Sequence, residues 1–139
     1  MAAIENIQKA LIRAYQATGL TSDALTGWPN KNFVPPDNQF HVYFTIDYGD
    51  VNVKTMGLGG QDGSDNGFVT LLLYYPQNSG TVKQVRDVDL LRQAFKAGTR
   101  LESGGTWLSI RSCSPSAGLP DGSYWVVPVT ISWFTRFGR

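Results

Sequence analysis

The sequence predicts an α+β fold: a single domain in which a mixed, mostly antiparallel β-sheet of about five strands packs with an N-terminal helix and a central helix. Three observations carry that reading. Phe68-Val69-Thr70-Leu71-Leu72-Leu73-Tyr74-Tyr75 is apolar in both alternate sets, as suits a central strand covered on both faces. Two segments, Ala3 to Thr18 and the one opening at Thr81, repeat apolar residues at helical steps. Phe40 to Tyr48 and Tyr124 to Phe134 alternate with the period of strands. At 139 residues the chain is long enough for one core and short for two, so residues 1–139 are read as one domain.

In the first helix Ile4, Ile7, Leu11, Ala14 and Tyr15 form one apolar stripe, with Glu5 in the first turn and Arg13 near the end. Gly19 followed by Leu20 fits a left-handed cap. No period holds from Thr21 to Asn38, where Gly27-Trp28-Pro29-Asn30 and Pro35-Pro36-Asp37-Asn38 mark an irregular connection. Trp28 and Phe33 lie inside it, either pinned to their own core or presented to a partner. Phe40, Val42, Phe44, Ile46 and Tyr48 then define a half-buried strand, and Gly49-Asp50 fits a two-residue hairpin turn into Val51, Val53 and Thr55. Gly57 to Gly67 is rich in glycine and polar residues and reads as a flexible loop.

Pro76 closes the central strand, and Ser79-Gly80 turns the chain into the second helix. That helix is expected to start at Thr81 with Gln84 reciprocating in a capping box, to bury Val85, Val88, Leu91 or Arg92, and Phe95, and to stop at Gly98. Lys83, Arg86, Asp87, Gln93 and Lys96 fall on the solvent side of that helix. Thr99 to Ser103 begins a further extended segment that Gly104-Gly105 breaks. Trp107 to Cys113 alternates as a strand, and Ser114 to Gly122 forms a long turn. Tyr124 to Phe134 is the longest extended run, with Pro128 expected at a bulge or an edge. Residues 135–139 form a basic, aromatic C-terminal tail.

Composition narrows the chemistry. A net charge of +1 with 42% hydrophobic and 17% charged residues does not predict a polyanion-binding surface overall. The distribution is uneven: residues 1–80 carry net −3 and residues 81–139 net +4, two unlike ends of the kind that stack head to tail. The lone Cys113 forms no internal disulfide, and with the single His41 it makes no zinc site. No apolar run approaches the ~20 residues of a membrane helix, and the N-terminus lacks the layout of a secretory signal. The expectation is a chain folded in a cytoplasm, with no membrane partner.

No cofactor, metal or catalytic residue is expected. Asp62-Gly63-Ser64-Asp65 lacks the alternating ligands and closing glutamate of a calcium loop, and the glycines of Gly57 to Gly67 lack the lysine of a phosphate cradle. A thiol enzyme would need Cys113 beside His41 with Asp47 behind the imidazole, yet Asp47 lies about 20 Å along the same strand from His41 at ~3.3 Å per residue. A single-stranded nucleic-acid binder would use Arg100, Arg111, Arg136 and Arg139 with Trp107, Trp125, Trp133 and Phe137.

Three stretches resemble the phage tail terminator-like (tail completion) family, a phage-related domain long of unknown function. The first is the strand Gly67 to Pro76, the Ser79-Gly80 turn and the helix closing in Phe95-Lys96-Ala97-Gly98-Thr99-Arg100-Leu101. The second is Leu108 to Cys113 with its Ser114-Pro115-Ser116-Ala117-Gly118 loop. The third is Asp121-Gly122 before the closing strand Val127-Pro128-Val129-Thr130-Ile131-Ser132-Trp133. With the N-terminal helix, the likeness spans nearly the whole chain, and the Gly57 to Gly67 loop and the Arg136 to Arg139 extension depart from it.

The resemblance implies a non-enzymatic virion protein, assembled in the host bacterial cytoplasm, whose copies form a ring, usually a hexamer, on the head-proximal end of the tail tube. Its partners would be the tail tube protein and a head-side connector, with DNA only as passing cargo. A connector or neck protein is the alternative within the same structural class. Asp50, Asp62 and Asp65 are the candidate lumen or tube-facing loop residues, and Trp28, Phe33, Arg100, Arg136 and Phe137 the candidate subunit or partner contacts.

Overall fold

The computed structural model describes residues 2–138, as a curled mixed sheet with two helices on one face. In chain order the elements are α1 (Ala3–Thr18), a short 3-10 turn (Asp23–Leu25), β1 (Thr26–Gly27), β2 (His41–Asp47), β3 (Asn52–Val53), β4 (Gln61–Pro76), α2 (Val82–Ala94), β5 (Arg100–Ser103), β6 (Thr106–Pro115), β7 (Leu119–Asp121) and β8 (Tyr124–Gly138). The sheet runs β1-β2-β4-β8-β6-β5, with β3 also on β4 and β7 also on β8. Among the described residues it has eight strands, against an expectation of about five. The extra ones are two- and three-residue pieces too short to show a period in sequence. All pairings are antiparallel except β1 with β2, which is parallel because the connection from Trp28 to Phe40 crosses back before β2 begins.

The core is one layer between the sheet and the helices. Ile7, Ala10, Leu11 and Tyr15 of α1 and Val88, Leu91 and Phe95 around α2 meet Val42 and Phe44, Val69, Leu71, Leu73 and Tyr75, Leu108 and Ile110, and Val127, Val129, Ile131 and Trp133. β4 is central, as its sequence indicates, but it is covered on one face only: Val69, Leu71 and Leu73 are fully buried, whereas Phe68 is exposed and Thr70, Leu72 and Tyr74 are half-buried. Both helices pack on the same side, so the other face is covered only in part, where Phe33 of the connection before β2 packs on His41 and Tyr43.

Several local readings change for identifiable reasons. Gly19 caps α1 in the left-handed region, as expected. Thr81, however, makes no side-chain cap, and the Oε1 of Gln84 is buried without a partner, so the capping box does not form. Val85 stays exposed, the helix ends at Ala94, and Gly98 is left-handed in the following turn rather than at the helix end. Gly104-Gly105 makes the two-residue turn between β5 and β6, with both φ values positive.

Gln61 to Gly67, read as loop, already belongs to β4, and Thr135 to Gly138, read as tail, continue β8 against it. Neither stretch has an apolar period, but each supplies the other's ladder. Arg139 lies outside the described residues. Pro128 sits neither at a bulge nor at an edge. Its carbonyl accepts from the Ser116 N–H at 2.7 Å, between the last rung of β7 at Val126 and the first of β6 at Val129, so its missing donor falls in the seam between two strands.

The β4–β8 ladder shifts register between Ser64 and Gly67, and Trp133 fills the space that results. A Cβ on Gly67 would lie 2.3 Å from the Trp133 ring, whose side chain is wholly buried. Gly67→Ala is therefore expected to destabilise the fold by about 1–3 kcal/mol through overpacking, seen as a lower urea midpoint with an unchanged slope.

Candidate assembly surfaces

The most exposed large apolar side chain among the described residues, Leu58, belongs to a hairpin arm. β2 pairs with β4 as far as Asp47 opposite Phe68, and β3 resumes at Asn52 opposite Gly63. Between them the ladder is replaced by side chains: the Ser64 hydroxyl donates to the Tyr48 carbonyl at 2.6 Å, and the Asp50 N–H donates to Asn66 Oδ1 at 2.9 Å. Gly49, at φ 68°, lies so close to Asn66 that a Cβ would come within 2.4 Å of it. The predicted hairpin turn at Gly49-Asp50 is thus an interruption within one longer hairpin. The chain reverses beyond β3, where the Lys54 and Thr55 N–H groups both donate to the Gln61 carbonyl, at 2.8 and 3.0 Å. At this tip Met56 and Leu58 are 87% and 99% exposed.

Asp65 ties the base of the arm to the sheet. It sits in the β4 bulge, and Arg111 sits in a second bulge where β6 meets β8. Lys54 Nζ lies 2.8 Å and an Arg136 guanidinium nitrogen 2.6 Å from the Asp65 oxygens, with Arg111 at 3.9 Å. Hydrogen bonds from Lys54 and Arg136 hold the Asp65 carboxyl down at about 2. Such exposed pairs contribute little singly, but here one carboxylate joins cations from beside β3, from β6 and from β8.

The neighbouring surface is basic and aromatic. The Arg100 guanidinium stacks 4.1 Å over Trp107 and that of Arg111 4.7 Å over Phe134, while the Trp107 and Phe134 rings meet edge-on at 6.1 Å. Of the aromatic and basic residues that sequence suggested for stacking on nucleic acid, Arg100, Arg111, Arg136 and Trp107 come together. Trp133 is in the core, Trp125 lies against Gly118, and Phe137 packs against the core from β8.

Trp28 and Phe33 make contacts within their own chain. Trp28 packs on Tyr15 and Phe44 at 5.9 and 5.2 Å between ring centres, and Phe33 packs on Tyr43 and His41 at 5.3 and 5.9 Å. The Tyr124 hydroxyl donates to the Pro36 carbonyl at 2.7 Å and accepts from the Asn38 N–H at 3.0 Å, fastening the same loop. Asp50 is exposed beside Asn66, and Asp62 is half-buried in β4 opposite Phe137.

No catalytic pair assembles from the residues that sequence offered. His41 belongs to the helix-free face of β2, stacked on Tyr74, and Cys113 to the helix-covered face of β6. β4 and β8 lie between them, about 14 Å of sheet at ~4.8 Å per strand. Burial pushes the Cys113 thiol up to about 11. Among the described residues no group of three or more His, Cys, Asp or Glu is placed to hold a metal, and no helix is long and apolar enough to cross a membrane.

Sequence reasoning missed Met56, Leu58 and Lys54. Two isolated apolar residues in a glycine-rich segment were the available signal, since such a segment has no core to bury them in.

Residues 6–133 match the family model described as phage tail terminator protein. A search of curated proteins finds no match. A solved structure shares the fold with a TM-score of 0.71 at 18% identity, covering 99% of this chain and 98% of that one.

Two outcomes follow from the site geometry. Asp65 should titrate with a midpoint of about 2 by carboxyl NMR, below the ~3.9 of an unfolded aspartate. Its stabilising effect is then complete above pH ~4 and fades as pH falls through the folded value, and Asp65→Asn should abolish that phase and speed amide exchange at Lys54. Cys113 in the folded protein should react with iodoacetamide at pH 8 at least ~10-fold more slowly than after denaturation, because it is both buried and protonated.

Proposed function

The chain belongs to the phage tail terminator family, and from that premise we propose that its copies close into a ring, a hexamer, on the head-proximal end of the tail tube. There the ring stops further addition of tube protein and offers the surface on which the head-side connector docks. A structural role in the phage tail follows from the family itself.

The observation that supports this reading is the hairpin arm. Val53, Met56 and Leu58 stand in water, 54%, 87% and 99% exposed, on a ladder that Asp65 fastens to three other segments. Leaving such side chains exposed forgoes roughly 1.5–3 kcal/mol for each that a partner could bury. A stiff arm with an apolar tip suits insertion into an adjoining protein better than binding of a small molecule. Asp50, Asp62 and Asp65 are carried on this arm, facing the tube or its channel in our reading. Asp65 is already neutralised by its cations, so repulsion of passing DNA would fall to Asp50 rather than to Asp65.

Electron microscopy of tails made without this protein tests the assignment. Abnormally long polymerised tubes are expected. Tails of normal length that fail to join heads would instead identify a connector or neck protein. A Met56→Ser/Leu58→Ser variant should keep the fold by circular dichroism, since neither side chain touches the core, while lowering the yield of normal-length tails at least ~10-fold.

A further inference from the structure

The sheet leaves two windows of backbone without a neighbour. β1 covers β2 only at Val42 and Tyr43, so Phe44–Asp47 has no strand on its outer side among the described residues. β5 covers β6 over Thr106–Ser109 and Thr99 bonds to Ile110, so Ser112–Pro115 is likewise open. The two windows lie on the same rungs. Thr45 pairs with Thr70, Thr70 with Thr130 and Thr130 with Ser114; two rungs along, Asp47, Phe68, Ser132 and Ser112 follow one another in the same way. Thr45, Asp47, Ser112 and Ser114 are all exposed.

We propose that these windows are the subunit contact: Phe44–Asp47 of one copy pairs antiparallel with Ser112–Pro115 of the next, so that the sheet continues from subunit to subunit. This rests on the ring reading above and names the surfaces that would close the ring.

Direction supports it first. β2 and β6 are separated by three antiparallel steps and run oppositely. Rotation about an axis along the strands preserves strand direction, so the β2 of a neighbouring copy arrives antiparallel to β6, the more stable pairing. The two edges are also unlike, which makes the contact heterologous and able to close into a ring.

Charge supports it second. The β2 window ends at Asp47, with Asp50 just beyond. The groove beside Ser112 to Ser114 is lined by Arg92, Lys96 and Arg111 with Phe95 and Ala97 and has no carboxylate among its described residues, and Asp89 enters the wall only at the Pro115 end, beside Arg92. Antiparallel pairing at the common level puts Asp47 beside Ser112, next to Arg111. The Arg111 bulge and Pro115, which has no N–H, bound the β6 window, so it accepts a short strand and resists open-ended edge aggregation. The Phe44–Asp47 window of a second copy has the length, direction and charge this edge would take.

Engineered disulfides test the contact on the full chain, alone and mixed with purified tail tubes. Thr45→Cys and Ser114→Cys are made singly and together, with Ser112→Cys as a second partner for Thr45→Cys, and each is mildly oxidised. Cross-strand neighbours lie within disulfide reach. The double variants should give a ladder on non-reducing gels ending in a closed covalent ring, with equal mixtures of the two single variants giving dimers. Each single variant alone, and the wild type with its buried Cys113, should give no ladder. Rings visible by electron microscopy without a ladder from either double variant would overturn the edge contact while leaving the ring reading intact. So would self-dimers of Thr45→Cys alone, which would mark an isologous contact. Absence of any particle larger than a monomer, on or off the tubes, would overturn both.

Discussion

The antiparallel pairing of β4 with β8 holds the molecule together, because each of these strands is longer than any partner on its other side. β4 spans 16 residues and β8 spans 15, whereas β2 spans 7 and β6 spans 10. The outer side of β4 is therefore shared between β2 and β3, and that of β8 between β6 and β7. The seam at Pro128, the interrupted hairpin at Gly49 and the arm beyond it all follow from this mismatch in length. Helices on one face bury the odd-numbered residues of both long strands, and the even-numbered ones are left to a hydroxyl-rich, half-open face.

The β4 bulge couples that architecture to the outer surface. By shifting register it lets Trp133 lie across Gly67 on the buried side, and it places Asp65 where Lys54, Arg111 and Arg136 converge. Packing thus fixes the base of the arm from within, and electrostatics fix it from outside. A tip that carries Met56 and Leu58 into solvent is an assembly feature only if its base is held in one direction. In this molecule a local irregularity in one ladder supplies that hold.

Much of the candidate surface was hidden from sequence for the same reason. Arg100, Arg111, Arg136 and Trp107 were recognisable as residue types, but residues 71 positions apart, such as Asp65 and Arg136, meet only because β4 and β8 pair in one particular register. Trp28 and Phe33 were open to two readings, and their contacts with Tyr15, Phe44 and Tyr43 were decided by α1 and β2. His41 and Cys113 looked like a possible pair until the sheet put β4 and β8 between them. In each case the chemistry of the side chain was legible and its neighbour was not.

By itself the sequence determined what depends on local period and local stereochemistry. It gave both helices, the central position of Phe68–Tyr75, the half-buried strand at His41–Asp47, the left-handed Gly19 and, through the order of its motifs, the family. The tertiary structure decided what depends on partners far along the chain: that Gln61–Gly67 and Thr135–Gly138 are strands, that the Gly49 turn does not close a hairpin, that one face of β4 stays open, and that two edges end level with each other. A polar, glycine-rich segment has no intrinsic preference strong enough to declare itself a strand. It becomes one when a neighbouring strand satisfies its backbone N–H and C=O groups, and no short-range pattern in the sequence records where that neighbour will be.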